Sequence, residues 1–452
     1  MKKVTNKVLW IFAIGQLGWS MLSGIVSNWL VYFYQPTSEL LSKGQQIFIT
    51  QGIVFLGLTV IGMITATARI FDAVTDPLIA SGSDRCRHRL GRRIPFMRYA
   101  AIPFGIVTVL LFTLPVNGES MVNNIVLLVF TLLFYLFMTC YCTPFNALIP
   151  VLGNNQKNRI NCSTYISVTY FLGTAFAYLV PNIAAFFQAD LGYTNSFRLT
   201  IAILATIAVI CMLIPSFAIK EKDYCDTTPV KTKTFESLGK TFKNHEFQKF
   251  VCSDVLYWIA LTIFQTGLPY YITVLMKLDD SYSFVFFAIM TGLSLAFYAP
   301  VNHFAKKLGK KKMVVFAFIF FACTFGITSM AGQFGLSGMA WGLIVSVLAS
   351  LPMAILGILP QAIVADISDA DSRITHESRQ GMFFAARTFA FKLGQSVAML
   401  LFTSISTIGD GIIGYRISAI VAAVLCLLGG IVLTRYNETK VLDTISVEEN
   451  NG

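Results

Sequence analysis

The chain has 452 residues, of which 55% are hydrophobic and 13% charged, and it carries a formal net charge of +11. Soluble domains carry about 25% charged residues, so a chain this apolar excludes an ordinary soluble enzyme and implies a membrane protein. The positive charge does not indicate nucleic-acid binding, because the basic residues are spread over seven segments rather than gathered on one face.

The mean hydropathy is +0.68, and long apolar runs recur with short polar breaks. A helix that spans a bilayer needs ~20 apolar residues. Twelve runs qualify, at about 8–34, 47–79, 98–117, 122–150, 160–187, 196–218, 248–276, 283–304, 312–331, 335–365, 381–406 and 411–434. The first is too long for a cleavable signal and has no convincing small-residue cleavage site after it, so it reads as a span. The pattern predicts an all-α integral membrane protein.

Lysine and arginine favour cytoplasmic loops. With both termini inside, 27 of the 34 basic residues fall in inside segments and four (Lys43, Arg198, Lys277 and Arg416) fall outside. Arg69, Arg387 and Lys392 remain within spans. Topology thus accounts for the net charge and predicts a multi-pass protein of the cytoplasmic (inner) membrane, with the lipid bilayer as its surroundings.

Nine cysteines give no disulfide framework, since most sit in spans and none pair in the outside loops. Cys86 and His88, two ligand types in an arginine-rich turn, make a poor metal site. Gly239-Lys240-Thr241 lacks the earlier glycine of a phosphate-binding loop, with Thr234 in its place. No cofactor is expected, and no metal beyond a transported cation.

The polar stretch 219–250 divides the spans six and six, giving halves at 1–218 and 251–435 and a tail at 436–452. Each half has a basic turn after its second span, "SDRCRHRLGRR" in one and "AKKLGKKK" in the other. Two six-helix halves with matching turns have the form of parallel repeats in a transporter.

With these residues in place, the chain resembles the major facilitator superfamily, and within it the glycoside–pentoside–hexuronide:cation symporters. "RIFDAVTDP" followed by "SDR…GRR…P" carries the resemblance, supported by "TCYCTPFNALIP" in the fourth span, "VADISD" at the end of the tenth and "FKLG" in the eleventh. The resemblance implies a cation-coupled symporter of a glycoside, pentoside or hexuronide, working by alternating access as a monomer and not as an enzyme. The turn also resembles that of the sucrose- and maltose-type proton symporters, and sodium-dependent lysolipid carriers resemble this family too. A non-transporting sensor would need an added signalling domain, for which the loop 219–250 and the tail after Arg435 are short.

Asp72 and Asp76 lie at i and i+4 and therefore share one helix face. An ionised side chain in mid-membrane costs ~2.5–3.5 kcal/mol on insertion scales, and two together repel. Such a pair is tolerable with something positive between them, either a nearby base such as Arg69 or a bound cation. Hard cations such as sodium take oxygen ligands, and the Thr75 hydroxyl could join the two carboxylates. The resemblance adds Thr139 as a hydroxyl ligand and Lys392 as a compensating charge. It also notes that Thr75 often stands as Asn in the family, which leaves sodium versus proton open.

Carriers of this kind bind substrate near the midplane between repeats. Thr139, Cys142 and Asn146 fall on one face of the fourth span. In the family, Cys142 and Ser20 correspond to sugar-binding aspartates and Asn146 to a tryptophan, so the sugar site departs from the family pattern. Arg387 suits a carboxylate through two parallel hydrogen bonds, hinting at a hexuronide, or else it pairs with Asp72, Asp76 or Asp254. Trp19, Tyr141, Tyr165 and Trp258 offer flat faces for a sugar ring, and Arg69 and Thr388 complete the candidate substrate set. Resemblance to the superfamily further implies that Asp84, Arg85 and Arg92 form a charge cluster that gates the cycle, with Asp366 and Asp369 equivalent in the other half.

Overall fold

A computed structural model of the chain describes residues 3–153, 155–224, 234–375, 380–409 and 412–449. Within the expected central loop, 225–233 lie outside the described residues, as do 450–452 of the tail. The chain divides into two compact units, Met1–Thr232 and Lys233–Gly452.

The first unit holds α1 (Asn6–Tyr34), α2 (Ser38–Ser42), the hairpin β1 (Ile53–Phe55) and β2 (Leu58–Thr59), α3 (Val60–Arg85), α4 (Ile94–Leu110), α5 (Met121–Leu152), α6 (Gln156–Tyr178), α7 (Val180–Ala185) and α8 (Gln188–Ala218). The second holds α9 (Thr234–Thr241), α10 (His245–Tyr270) with a π-helical extension Tyr271–Leu275, α11 (Tyr282–Leu308), α12 (Lys310–Ser329), α13 (Gly338–Thr375), α14 (Gln380–Ile405), α15 (Ile412–Leu433) and α16 (Glu438–Glu449). Among the described residues, α1, α5, α8 and α10 to α15 are long and apolar enough to cross a membrane, nine helices in all. Three others fall short of that standard. α4 is apolar but has 17 residues, α3 carries Arg69, Asp72 and Asp76, and the first turns of α6 are polar.

Local chemistry starts many of these helices. Thr5, Thr59, Ser120, Asn155 and Asn244 each accept a hydrogen bond from a first-turn backbone N–H through the side chain, the arrangement that satisfies otherwise orphaned helix donors. Prolines interrupt α3, α4, α5, α8, α10, α11 and α13. Membrane helices tolerate this because neighbouring groups re-satisfy the freed carbonyls.

Two boundaries differ from the sequence expectation. The second span was expected from residue 47, yet the helix begins at Val60 and the preceding apolar run forms the β-hairpin. Hydropathy registers only the apolarity of 53–58, whereas the chain there turns back on itself at Leu56-Gly57, both at positive φ. At the other end, α13 continues through the expected loop as far as Thr375. The 376–379 part of that loop is outside the described residues.

In the first unit α1 packs against α6 and α8, and an aromatic cluster of Trp29, Phe33, Phe48, Phe112 and Phe197 closes one end. In the second, α15 packs against α10 and α12 around Phe264, Phe321 and Phe325.

Candidate cation and substrate sites

Asp72 lies in the middle of α3 and is fully buried. Its Oδ1 accepts a hydrogen bond of 2.9 Å from the Thr139 hydroxyl of α5, itself buried. Thr75 is buried on the same helix, and its hydroxyl donates to the Asp72 backbone carbonyl at 3.2 Å. Asp76 is half-buried one turn beyond Asp72. The next residue, Pro77, has no N–H, so it donates nothing to the Ala73 carbonyl between the two acids. The Asp72 carboxylate thus has the Thr139 hydroxyl beside it, and oxygen donors of these kinds suit a hard cation.

Arg69 is half-buried and turned toward α1 and α5. Its Nη2 reaches the Ser27 hydroxyl at 3.5 Å, and its guanidinium lies 5.0 Å from the Tyr135 ring centroid.

The first-unit substrate candidates separate into two groups. Cys142 is half-buried and Asn146 exposed, on the same side of α5 as Thr139. Tyr141 is on the opposite side, fully buried, with its hydroxyl donating to the Met212 carbonyl of α8 at 2.9 Å. Ser20 is buried where α1 meets α6, its hydroxyl bonded to the Leu17 carbonyl and packed on Gly173. Both Tyr141 and Ser20 are thus surrounded by helix contact. Trp19 is half-buried with its ring edge-to-face with Tyr170 at 6.3 Å, and Tyr165 stacks on Trp10 at 4.1 Å.

In the second unit, Arg387 of α14 is gripped by Asp254 of α10, with Nε to Oδ2 at 2.7 Å and Nη2 to Oδ1 at 2.9 Å. Both residues are buried. Of the two alternatives for Arg387, the structure displays internal pairing. One turn further along each helix, Trp258 stacks on Phe391 at 4.5 Å and 20°. The indole Nε1 atoms of Trp19 and Trp258 are buried and without hydrogen-bond partners among the described residues. Thr388 donates to the Phe384 carbonyl of its own helix, and Lys392 is half-buried.

The gating candidates sit at helix ends. Asp84 faces Arg93 at 3.6 Å, while Arg85 is exposed and Arg92 buried. Asp366 binds Lys310 at 2.5 Å, and Asp369 lies 3.4 Å from Arg373, one turn along the same helix. Two acids that sequence reasoning missed organise these turns. Glu221, buried just after α8, accepts from the backbone N–H groups of Arg93 and Ile94 at 2.8 and 3.3 Å. Glu438, just after α15, accepts from those of Lys310 and Lys311 at 2.8 and 3.1 Å. The signal was present, since each acid follows the last long helix of its unit and each target follows a matching basic turn. Burial, with Glu221 nearby, pushes the Cys86 thiol up from its ordinary range, which disfavours the thiolate a metal would need.

Residues 11–440 match the family described as MFS/sugar transport protein. The chain belongs to this family. The family is one of multi-pass membrane transporters, and the resemblance to glycoside–pentoside–hexuronide symporters stands. Among relatives of this MFS/sugar transport chain, the inner membrane symporter YicJ of Escherichia coli is 26% identical over 238 residues, covering 51% of this chain and 49% of YicJ. The aligned part thus spans about half the length of that relative. The sodium-dependent lysophosphatidylcholine symporter 1 of Xenopus tropicalis is 24% identical over 401 residues, 79% of this chain and 73% of its own. A crystal structure of a mutant of the nucleoside transporter NupG superposes with a TM-score of 0.71 at 12% identity, covering 96% of this chain and 100% of NupG. That likeness establishes the major facilitator fold.

Proposed function

We propose that this protein is a secondary active symporter of the cytoplasmic (inner) membrane, with both termini cytoplasmic and a single chain as the working unit. It couples inward flow of a cation, sodium or proton, to uptake of a glycoside or pentoside by alternating access. The observation that carries the reading is the buried Asp72 carboxylate, hydrogen-bonded by Thr139 at 2.9 Å with Asp76 one turn beyond. Buried mid-membrane acids are expensive and mark ion pathways.

Trp19, Cys142 and Asn146 of the first unit present a ring face and polar groups to the substrate. The Asp254–Arg387 pair favours an uncharged sugar over a hexuronide, since a substrate carboxylate would have to displace an acid already held through two bonds. Asp84, Arg85, Arg92, Asp366 and Asp369 bias the two end states, because ion pairs present in one state and broken in the other shift such an equilibrium.

The second reading, a lysolipid carrier, draws on the Xenopus tropicalis relative, named for sodium and lysophosphatidylcholine. Uptake of labelled sugars, uronides and lysophosphatidylcholine into proteoliposomes under an imposed sodium or proton gradient distinguishes the two. Gradient-driven accumulation of a neutral sugar that Asp76→Asn abolishes is the expected result. Accumulation that survives in Asp76→Asn, or movement of the lysolipid alone, overturns the proposal.

A further inference from the structure

The apolar run between α2 and α3 is not part of a span, and nothing in the transport reading uses it. Ile53, Val54, Phe55 and Leu56 form one arm and the tip of a two-stranded hairpin, 57%, 53%, 61% and 84% exposed. Phe55 pairs with Leu58 across a two-residue turn, Leu56-Gly57, and both turn residues have positive φ, 47° and 81°. Primed turns of this kind favour Asn, Asp or Gly at their first position. A leucine there holds a disfavoured backbone conformation, so its side chain is kept against local preference.

The surroundings indicate what the tip meets. No Asp, Glu, Lys or Arg occurs between Lys43 and Arg69. Strands that face water are guarded by charge, and a lone two-stranded hairpin in water is marginal. The base of the hairpin is pinned to the start of α5: Asn123 Nδ2 donates to the Phe48 carbonyl at 2.9 Å, and Asn124 Nδ2 to the Thr50 hydroxyl at 2.9 Å. The first turns of α5 expose Met121, Val122 and Ile125 at 69%, 52% and 55%, on a helix apolar enough to cross a membrane. The hairpin is therefore continuous with surface that faces lipid. At a strand rise of about 3.3 Å per residue, its tip reaches roughly 10 Å beyond Gly52, comparable to the ~5–10 Å depth at which interfacial segments sit.

We propose that the hairpin Ile53–Thr59 inserts its Phe55-Leu56 tip into the headgroup–acyl boundary of the bilayer, on the side where α3 begins and α4 ends. Its partner is lipid, and the inserted lip fixes the height and tilt of the first unit at that face.

The test uses the full chain in proteoliposomes, with tryptophan placed at the tip as Leu56→Trp or, separately, as Phe55→Trp. The emission added over the wild type, which has five tryptophans of its own, is read with acyl chains brominated near the headgroup and with aqueous iodide. Two exposed positions guard against a variant that fails to fold. The expected result is blue-shifted added emission, most of it lost with brominated lipid and little of it with iodide. Quenching mainly by iodide would place the tip in water and overturn the proposal. Quenching by neither would show the tip covered by protein, a second copy or another part of this chain, and would overturn it equally.

Discussion

The guanidinium of Arg387 meets the carboxylate of Asp254 through two parallel hydrogen bonds, 2.7 and 2.9 Å long, with both side chains buried. Removing one partner strands the other charge in an apolar setting, which typically costs about 3–5 kcal/mol, whereas replacing both with apolar residues is often neutral. Arg387→Ala and Asp254→Ala are each expected to lower thermal stability in detergent sharply. The double variant Asp254→Leu/Arg387→Met is expected to recover most of the loss. A double variant as unstable as either single one would mean that the pair itself, and not charge balance, holds α10 to α14.

The hydrogen bond from Thr139 to Asp72 makes a sharper prediction about coupling. A hydrogen bond to a charged group contributes about 1.5–3 kcal/mol, on the order of tenfold to a hundredfold in an equilibrium constant. Thr139→Val is expected to raise the cation concentration needed for half-maximal uptake by a factor in that range, and Thr139→Ser to restore it. Cation dependence unchanged in Thr139→Val would remove Thr139 from the ligand set.

How much of this was legible beforehand depends on distance along the chain. The Asp72/Asp76 face follows from helical spacing, and the division of the chain into two compact units falls inside the polar stretch 219–250 that hydropathy singled out. Asp254 was recognisable as a possible partner of Arg387, but nothing in one sequence chooses among three acids within spans. The contact of Thr139 with Asp72 was reachable only through resemblance, because it joins residues 67 positions apart. The packing of Ser20 on α6 and of Tyr141 on α8 was not legible, because which way a helix turns is decided by close approach of neighbours distant in sequence. The hairpin escaped because a window average treats an apolar strand and an apolar helix alike.

Close approach is testable at Gly173. A Cβ built there would lie 2.0 Å from the Ser20 hydroxyl and 2.5 Å from the Leu17 carbonyl. Overpacking of this kind costs typically about 1–3 kcal/mol, so Gly173→Ala is expected to destabilise the α1–α6 contact by that order. Ser20→Ala should rescue it only in part, since the Leu17 carbonyl remains in the way. Gly82→Ala, where nothing lies within 4 Å, serves as the tolerated control. Equal melting temperatures for the Gly173 and Gly82 variants would show that the helices separate to make room.

The paired carboxylate caps give the last prediction. Glu221 and Glu438 each accept two backbone N–H groups at the start of a helix, α4 and α12, where the helix dipole favours negative charge. Loss of a cap costs about 0.5–2 kcal/mol, and the cost should appear locally, as fraying of the first turn. Glu221→Ala is expected to speed hydrogen exchange at Arg93 and Ile94, and Glu438→Ala at Lys310 and Lys311, each leaving the other unit's turn protected. The Gln variants should fall between, because the amide keeps an acceptor oxygen but loses the charge. Exchange that stays slow in the Ala variants would show that the basic turns are held by their own side chains. In that case the repeated acids would be a consequence of the repeat and not the groups that fix where the helices begin.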